Sequence, residues 1–343
     1  MPVKQNTSAN ASGKSIARRS MTKKSPAGNK NSSALTILVP IKNEAESLSE
    51  LIASVTDTCE KHNLQLSEII IIDDGSTDTS WETITKLAKD NKAVRGIRLR
   101  RNFGKATALS IGANDATGDT IITMDGDLQD DPKEIPRFVE ELAKGYDLIS
   151  GWKKRRHDPW DKTLPSRIFN KITAWVTGID LHDFNCGFKA YRREIFDRIE
   201  LYGELHRFVP VLAESYGYRI GEIVVEHHAR KYGVSKYGVG RLFKGLLDLV
   251  TVVTLTRFST RPSHLFGGAG LLLLVLGTLI LLYLSAIKIF DGATIGDRPL
   301  LLLGILLEIV GIQLFSFGLL AELIAKYADK GDGTEKLVSE TIG

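Results

Sequence analysis

Ile121-Ile-Thr-Met-Asp-Gly-Asp-Leu-Gln-Asp-Asp131 is the stretch whose reading decides the fold. A short apolar, β-branched run ends abruptly in Asp125 and Asp127, with Gly126 between them. Residues two apart on a strand share a face, so both carboxylates point the same way if the strand has not yet turned. Hard oxygen ligands presented at such an edge suit Mg2+ or Mn2+ that substrate phosphates also hold. An isolated Asp-Gly-Asp is more often a solvated acidic turn. The rest of the chain decides between the two.

Upstream, a βα rhythm begins at Leu35. Leu35–Pro40 reads as a buried strand and Glu44–Lys61 as a helix with apolar Leu48, Leu51, Ile52 and Val55. Glu68–Asp73 is a second strand, followed by the turn Asp74-Gly-Ser-Thr-Asp78 and a helix through Trp81, Ile84 and Leu87. Val94–Leu99 is a third strand and Gly104–Ala116 a helix. The strand Ile121–Met124, a helix Pro132–Lys144 and a strand Asp147–Ser150 complete the pattern. Such alternation implies right-handed crossovers and a mostly parallel α/β sheet. Ligands of such sheets collect beyond the carboxyl ends of the strands. Asn43-Glu44, Asp73-Asp74 and Asp125-Gly-Asp127 all fall at that edge. The glycine fingerprints of dinucleotide-binding and P-loop proteins are missing, which argues against a dehydrogenase or a P-loop ATPase.

The chain has 343 residues, room for one sizeable domain plus an appendage, and a formal charge of only +4, so bulk electrostatics give no reason to expect nucleic acid as a partner. Residues 1–33 carry seven Lys or Arg and no Asp or Glu, and read as a disordered basic tail. Cys59 and Cys186 are too few for a disulfide framework and fit a reducing compartment.

Four motifs carry a family resemblance: Pro40-Ile-Lys-Asn-Glu44, Asp73-Asp-Gly-Ser-Thr-Asp78, Arg101-Asn-Phe-Gly-Lys105 and Asp125-Gly-Asp-Leu-Gln129. In this order they resemble the inverting family 2 glycosyltransferases of the GT-A fold, and among these the polyisoprenyl-phosphate glycosyltransferases: dolichol-phosphate mannose synthases and their bacterial glucosyl relatives. The likeness covers roughly residues 35–240. It implies that Pro40, Glu44, Asp73, Asp74 and Lys105 line a nucleotide-sugar site, and that Asp125, Asp127 and Gln129 hold the metal and the diphosphate. It also assigns an acceptor phosphate to Arg155 or Arg156, Arg167, Arg230, Ser235 and Lys236, where Arg forks and a Lys point charge suit a phosphate monoester. Spacing leaves open which of Arg155 and Arg156 faces inward. Asp183, in Leu181-His-Asp-Phe-Asn-Cys-Gly-Phe188, is similar to an acceptor-facing Asp and is the expected general base or acceptor orienter. A phosphate with second pKa near 6 is already largely dianionic at neutral pH and needs positioning more than deprotonation. His182, His206, His227 and His228 show no paired metal spacing.

Residues 238–259 read as an apolar helix with scattered charges, lying at a membrane interface or packed on the soluble core. Leu265–Ile287 has no charge and Pro299–Ala321 only Glu308, and each is long enough to cross a bilayer. Arg257 and Arg261 precede the first span while Lys326, Lys330 and Lys336 follow the second, so both termini and the large domain are expected in the cytoplasm of an integral inner- or plasma-membrane protein. Gly304, Gly311 and Gly318 offer a close-packing stripe, which suggests a homo-oligomer. Glu308 is expected to face a helix partner or another subunit.

The expected organisation is a basic tail (1–33), a GT-A catalytic domain (34–237), interfacial helices (238–262), a two-helix transmembrane hairpin (263–327) and a cytoplasmic tail (328–343). The expected activity is inverting transfer of a hexose to a polyisoprenyl phosphate with Mg2+ or Mn2+. By resemblance the favoured pair is UDP-glucose with undecaprenyl phosphate, and the alternative is GDP-mannose with dolichyl phosphate. A processive polysaccharide synthase is disfavoured because neither a Gln-x-x-Arg-Trp segment nor further spans occur. A non-catalytic scaffold or flippase subunit is disfavoured by the intact acidic and basic motifs.

Overall fold

Leu35–Ile41 (β1) is apolar on both faces, which suits the interior of a sheet covered on both sides. The structure is a computed structural model and describes residues 34–154, 160–229, 231, 240–257, 262–292, 294–296 and 298–328. The expected Arg155, Arg156, Arg230, Ser235 and Lys236, and both chain tails, lie outside the described residues.

Ala45–Lys61 (α1), Leu66–Asp73 (β2), Ser80–Asp90 (α2), Val94–Arg98 (β3), Lys105–Asp115 (α3) and Thr120–Thr123 (β4) follow the expected rhythm within a residue or two. The helix expected from Pro132 divides into a 3-10 turn, Pro132–Glu134, and Ile135–Ala143 (α4), because Pro136 brings no N–H to the ladder. Then come Leu148–Trp152 (β5), Trp160–Thr177 (α5), Lys189–Arg192 (β6), Val209–Ser215 (α6) and Ile220–Val224 (β7). The sheet order is β3-β2-β1-β4-β6-β5-β7. All pairings are parallel except those of β6, which runs antiparallel to both β4 and β5. The reversal carries the chain segment 183–188 back across the carboxyl ends of β4 and β5, over the acidic turn.

Side chains alternate between two cores. Ile37, Val39, Ile69, Ile71 and Ile122 pack on one face with Leu48, Leu51 and Val55 of α1, Ile84 of α2 and Phe138 of α4. Leu38, Ile70, Ile72 and Ile121 pack on the other with Leu109 of α3, Val209 of α6, and Leu249 and Val252 of Gly240–Arg257 (α7). One side of α7 packs on the soluble core, as one of the two readings of the 238–259 region expects. Leu249 and Val252 are buried, whereas Leu247 and Val250 are exposed.

Among the described residues, Pro262–Asp291 (α8) and Pro299–Ala328 (α9) are the two helices long and apolar enough to cross a membrane. Their glycines are spent on each other. Gly311 lies against Gly270 and Leu274, Gly304 against Ile280 and Leu281, and Gly318 against the Gly267 backbone. The stripe that suggested an oligomer is occupied within the hairpin, between α8 and α9. Glu308 meets its expected helix partner inside the same hairpin, accepting from Thr278 Oγ1 at 2.6 Å.

Candidate active site at the carboxyl edge of the sheet

Three loops meet beyond β1, β2 and β4. Asn43 is in the left-handed region (φ 54°), tolerable for Asn because its side chain bonds locally. Its N–H donates to Ser76 Oγ (2.9 Å) and its Oδ1 accepts from Thr77 N (2.8 Å), while Glu44 N donates to Ser80 Oγ (3.0 Å). These bonds tie the Pro40–Glu44 turn to the turn after β2. Asp73 is fully buried, accepts from Ser76 N (2.7 Å) and lies 3.6 Å from Arg98 Nε. Asp74 uses both carboxylate oxygens on the neighbouring loop, accepting from Phe103 N (2.7 Å) and Gly104 N (2.9 Å). That grip fixes the start of α3, where Lys105 is the first residue. Asp74 therefore positions Lys105.

The acidic turn differs from its expected form in one respect. β4 ends at Thr123, so Asp125 and Asp127 lie in a turn and strand alternation does not orient them. Side-chain to backbone bonds shape the turn instead. Asp125 N donates to Asp130 Oδ2 (3.1 Å), and Gln129 N donates to Asp127 Oδ1 (3.2 Å). Ser47 Oγ of α1 holds the Gly126 carbonyl at 2.6 Å, and a Cβ on Gly126 would sit 2.6 Å from Ile41 Cγ2. Only glycine lets the turn come this close to β1.

Lys105 Nζ forms an ion pair with Asp125. Burial raises the Asp125 pKa, but the ammonium groups of Lys105 and Lys153 outweigh burial and hold the carboxyl well below the usual carboxylate range. It is an anion whenever a ligand arrives. The 183–188 segment covers this pair, and a Cβ on Gly187 would sit 2.8 Å from both Asp125 Oδ2 and Lys105 Nζ.

On the other side, Asp183 is buried and accepts from Asn185 N at 3.1 Å, with Asn170 Nδ2 at 3.5 Å. Glu222 on β7 accepts from the backbone N–H groups of His182 (2.9 Å) and Asp183 (3.1 Å) and contacts His182 Nδ1 at 2.8 Å. The His182 ring stacks on Trp152 at 3.9 Å. Arg167 is exposed on α5.

Several groups in the site were not legible in the sequence. Lys153, directly after β5, pairs at 2.7 Å with Asp130, whose side chain is fully buried. Asp130 thus links the acidic turn to the start of the 154–159 segment. Lys153→Met leaves the buried Asp130 carboxylate without its cation and is expected to cost about 3–5 kcal/mol. Thermal unfolding in detergent checks this; an unchanged Tm would remove the pair from the scaffold. Lys189 is buried on β6, donates to the carbonyls of Phe184 (3.3 Å) and Cys186, and has its pKa pushed down to about 8 by burial. Asp131, Glu226 and His228 bring three ligand atoms within 4.8 Å of one another, a set that can hold a metal. His228 Nε2 lies 3.1 Å from Asp131, and His228 N donates to the Gln129 carbonyl at 2.9 Å.

A mostly parallel sheet with acidic turns at its carboxyl edge, crossed by one antiparallel strand, has the GT-A architecture of nucleotide-sugar enzymes. Solved structures agree on the fold. Glucosyl-3-phosphoglycerate synthase from Mycobacterium tuberculosis, in complex with Mn2+, UDP and phosphoglyceric acid, superposes with a TM-score of 0.51 at 16% identity, covering 66% of this chain and 78% of that one. The same enzyme with Mg2+ and UDP gives 0.51 at 16% identity, covering 66% and 79%. The family model described as glycosyl transferase family 2 matches residues 36–200. A dodecaprenyl-phosphate galacturonate synthase of Rhizobium johnstonii is 41% identical over 313 residues, 90% of this chain and 92% of the relative. An undecaprenyl-phosphate 4-deoxy-4-formamido-L-arabinose transferase of Aeromonas hydrophila is 37% identical over 298 residues, 86% of this chain and 90% of the relative. The chain belongs to the family 2 glycosyltransferases and is an enzyme.

Proposed function

We propose that this enzyme transfers a single sugar from a nucleoside diphosphate sugar to a polyprenyl phosphate at the cytoplasmic face of a membrane, with inversion. The observation that carries the reading is the Asp125–Lys105 ion pair under Gly187, with the buried Lys153–Asp130 pair beside it. This is a donor-phosphate site joined to the segment where an acceptor phosphate is expected.

Asp125 and Asp127 would hold Mg2+ or Mn2+, which supplies charge neutralisation of the leaving diphosphate when bound. Their carboxylates fit such an ion: both are hard oxygen donors, and Asp125 is ionised at all working pH values. The Asp131–Glu226–His228 group is a second possible seat, favoured by the 4.8 Å spread of its ligand atoms. Lys105, beside Asp125, would add a positive charge for the diphosphate. Pro40, Glu44 and Asp73 are assigned to the nucleotide, and Gln129 to the diphosphate. Arg155, Arg156, Arg167, Arg230, Ser235 and Lys236 are assigned to the acceptor phosphate. Asp183, held by Asn170 and Asn185, orients the acceptor; the dianionic phosphate needs no base.

The membrane reading gains support outside the hairpin. Ile168, Ile172 and Trp175 of α5 form one exposed stripe, and Trp175 is 83% exposed. Phe169 of the same helix packs against Gly245 of α7, whose Leu247 and Val250 are also exposed. Both helices present apolar surface, and a bilayer interface is the natural cover in a chain with two spans. Trp175→Glu is expected to slow transfer to a long-chain polyprenyl phosphate in nanodiscs several-fold while sparing a short, detergent-soluble acceptor. Equal effects on both acceptors would contradict a membrane role for α5.

The relatives' names point to galacturonate and 4-deoxy-4-formamido-L-arabinose, so UDP-galacturonate stands first among donors, ahead of UDP-glucose and GDP-mannose. The test is incubation of the purified protein with Mg2+, polyprenyl phosphate and each radiolabelled donor, counting label extracted into organic solvent. Chelator-sensitive label from one donor is the expected result. No extractable label from any sugar nucleotide would overturn the proposal.

A further inference from the structure

β5 and β7 run parallel, with Leu148 opposite Ile220, Ser150 opposite Glu222 and Trp152 opposite Val224. Strand alternation puts these residues on one face of the sheet, and Leu148 marks it as the face covered by α6 and α7 with Phe169 of α5. At the end of β5, Trp152 is half-buried and carries the His182 ring, stacked at 3.9 Å with 13° between the planes. Glu222 holds the same histidine from the adjacent strand. Its Oε1 accepts from the backbone N–H groups of His182 (2.9 Å) and Asp183 (3.1 Å), and its Oε2 lies 2.8 Å from His182 Nδ1. A carboxylate only accepts, so Nδ1 is the donor.

The imidazole is thus fixed at ring and backbone, yet its side chain is 54% exposed. One ring face lies on Trp152 and the Nδ1 edge on Glu222, so the exposure belongs to the other face and the Nε2 edge. Nε2 has no partner among the described residues. Lys154 shares the platform. Its N–H donates to the Trp152 carbonyl at 2.9 Å, and its Nζ lies 5.3 Å from the centroid of the indole. Lys154 is exposed, and no carboxylate pairs with it among the described residues. One indole therefore carries an imidazole and an ammonium that both keep a free polar atom.

The chain on either side leads into the site. Trp152 and Lys154 flank Lys153, whose ammonium reaches Asp130 of the acidic turn, and His182 precedes Asp183, which Asn170 of α5 approaches. The outer side of α5 carries Ile168, Ile172 and Trp175, so a lipid headgroup at a bilayer facing α5 lies on this side of the sheet.

We infer that Trp152, His182 and Lys154 form a seat for the acceptor's phosphate, in which His182 Nε2 hydrogen-bonds a phosphate oxygen and Lys154 Nζ adds charge. The inference rests on the polyprenyl-phosphate reading and adds two phosphate-binding side chains and the platform that positions them. The bond at Nε2 needs one proton shared between the imidazole and the phosphate monoester. Glu222 and Trp152 set the ring in place beforehand, so little side-chain freedom is lost when the headgroup binds.

The test is steady-state transfer by the full-length protein in detergent, with the polyprenyl phosphate and the nucleotide sugar varied separately. Wild type is compared with His182→Phe, which keeps a ring on Trp152 without polar atoms, and with His182→Gln, whose amide can reproduce the Nε2 position. Lys154→Met is the third variant, at an exposed side chain whose loss leaves the fold intact. Expected in His182→Phe is a KM for polyprenyl phosphate raised about fivefold to tenfold, with the KM for the nucleotide sugar unchanged and partial recovery in His182→Gln. Lys154→Met is expected to raise the acceptor KM about twofold to fivefold. Wild-type acceptor KM in both His182→Phe and Lys154→Met, or an equal rise in the KM for the nucleotide sugar, overturns the inference while wild-type transfer leaves the transferase reading intact. Wild type that transfers no sugar removes both.

Discussion

Asp127→Asn is expected to lower transfer by about a hundredfold to a thousandfold while the protein stays folded. Asp127 is buried in the acidic turn and receives the Gln129 N–H. Asn keeps a carbonyl oxygen for that bond, so the turn survives and the change removes charge. Stabilisation of charge on a leaving group in a water-poor site is commonly the largest catalytic contribution, which sets the size of the effect. Far-UV circular dichroism and Tm check the fold, and single-turnover transfer checks the chemistry. His228→Ala, run in parallel, separates the two possible metal seats. Loss of metal-dependent activity in Asp127→Asn with retention in His228→Ala places the ion at Asp125 and Asp127. The reverse pattern places it at Asp131, Glu226 and His228.

Gly187→Ala produces the second large effect by a different route. A methyl there would sit 2.8 Å from Asp125 Oδ2 and 3.0 Å from Asp125 Cγ, so the carboxylate has to move. Lys105 Nζ, equally close, sits at the end of a flexible chain and yields easily. Thr123 Oγ1 donates to the Gly187 carbonyl at 2.7 Å and keeps the segment from retreating. The Gly187 backbone is not in the left-handed region, so alanine adds no backbone strain. The expected result is an apparent metal affinity weakened by about tenfold to a hundredfold, with Tm nearly unchanged. Titration of activity with Mn2+ measures it, and wild-type metal affinity in Gly187→Ala would separate this segment from the ion.

The first half of the domain was legible because parallel βα units write both periodicities plainly. Ile69–Ile72 and Ile121–Ile122 are apolar runs that only a doubly covered strand explains, and each ends at a polar turn. β6 was not legible. It has four residues, one of them a buried Lys189 that any pattern of polarity assigns to the surface. Charges that pair across long sequence distances were equally hidden. Lys153 and Asp130 become partners only once β6 places β5 next but one to β4. The glycine stripe of α9 was visible as a packing surface, but a periodicity does not say whether the matching surface belongs to another chain or, as here, to α8.

The proposed transfer is a single direct displacement, in which the lipid phosphate attacks the anomeric carbon from the side opposite the diphosphate. The most direct measurement is the anomeric configuration of the lipid-linked sugar, read by proton NMR from the carbon–hydrogen pair at the anomeric centre. A single displacement gives a configuration inverted relative to the nucleotide donor. A retained configuration would contradict it, because retention requires two displacements or a different pathway through this site.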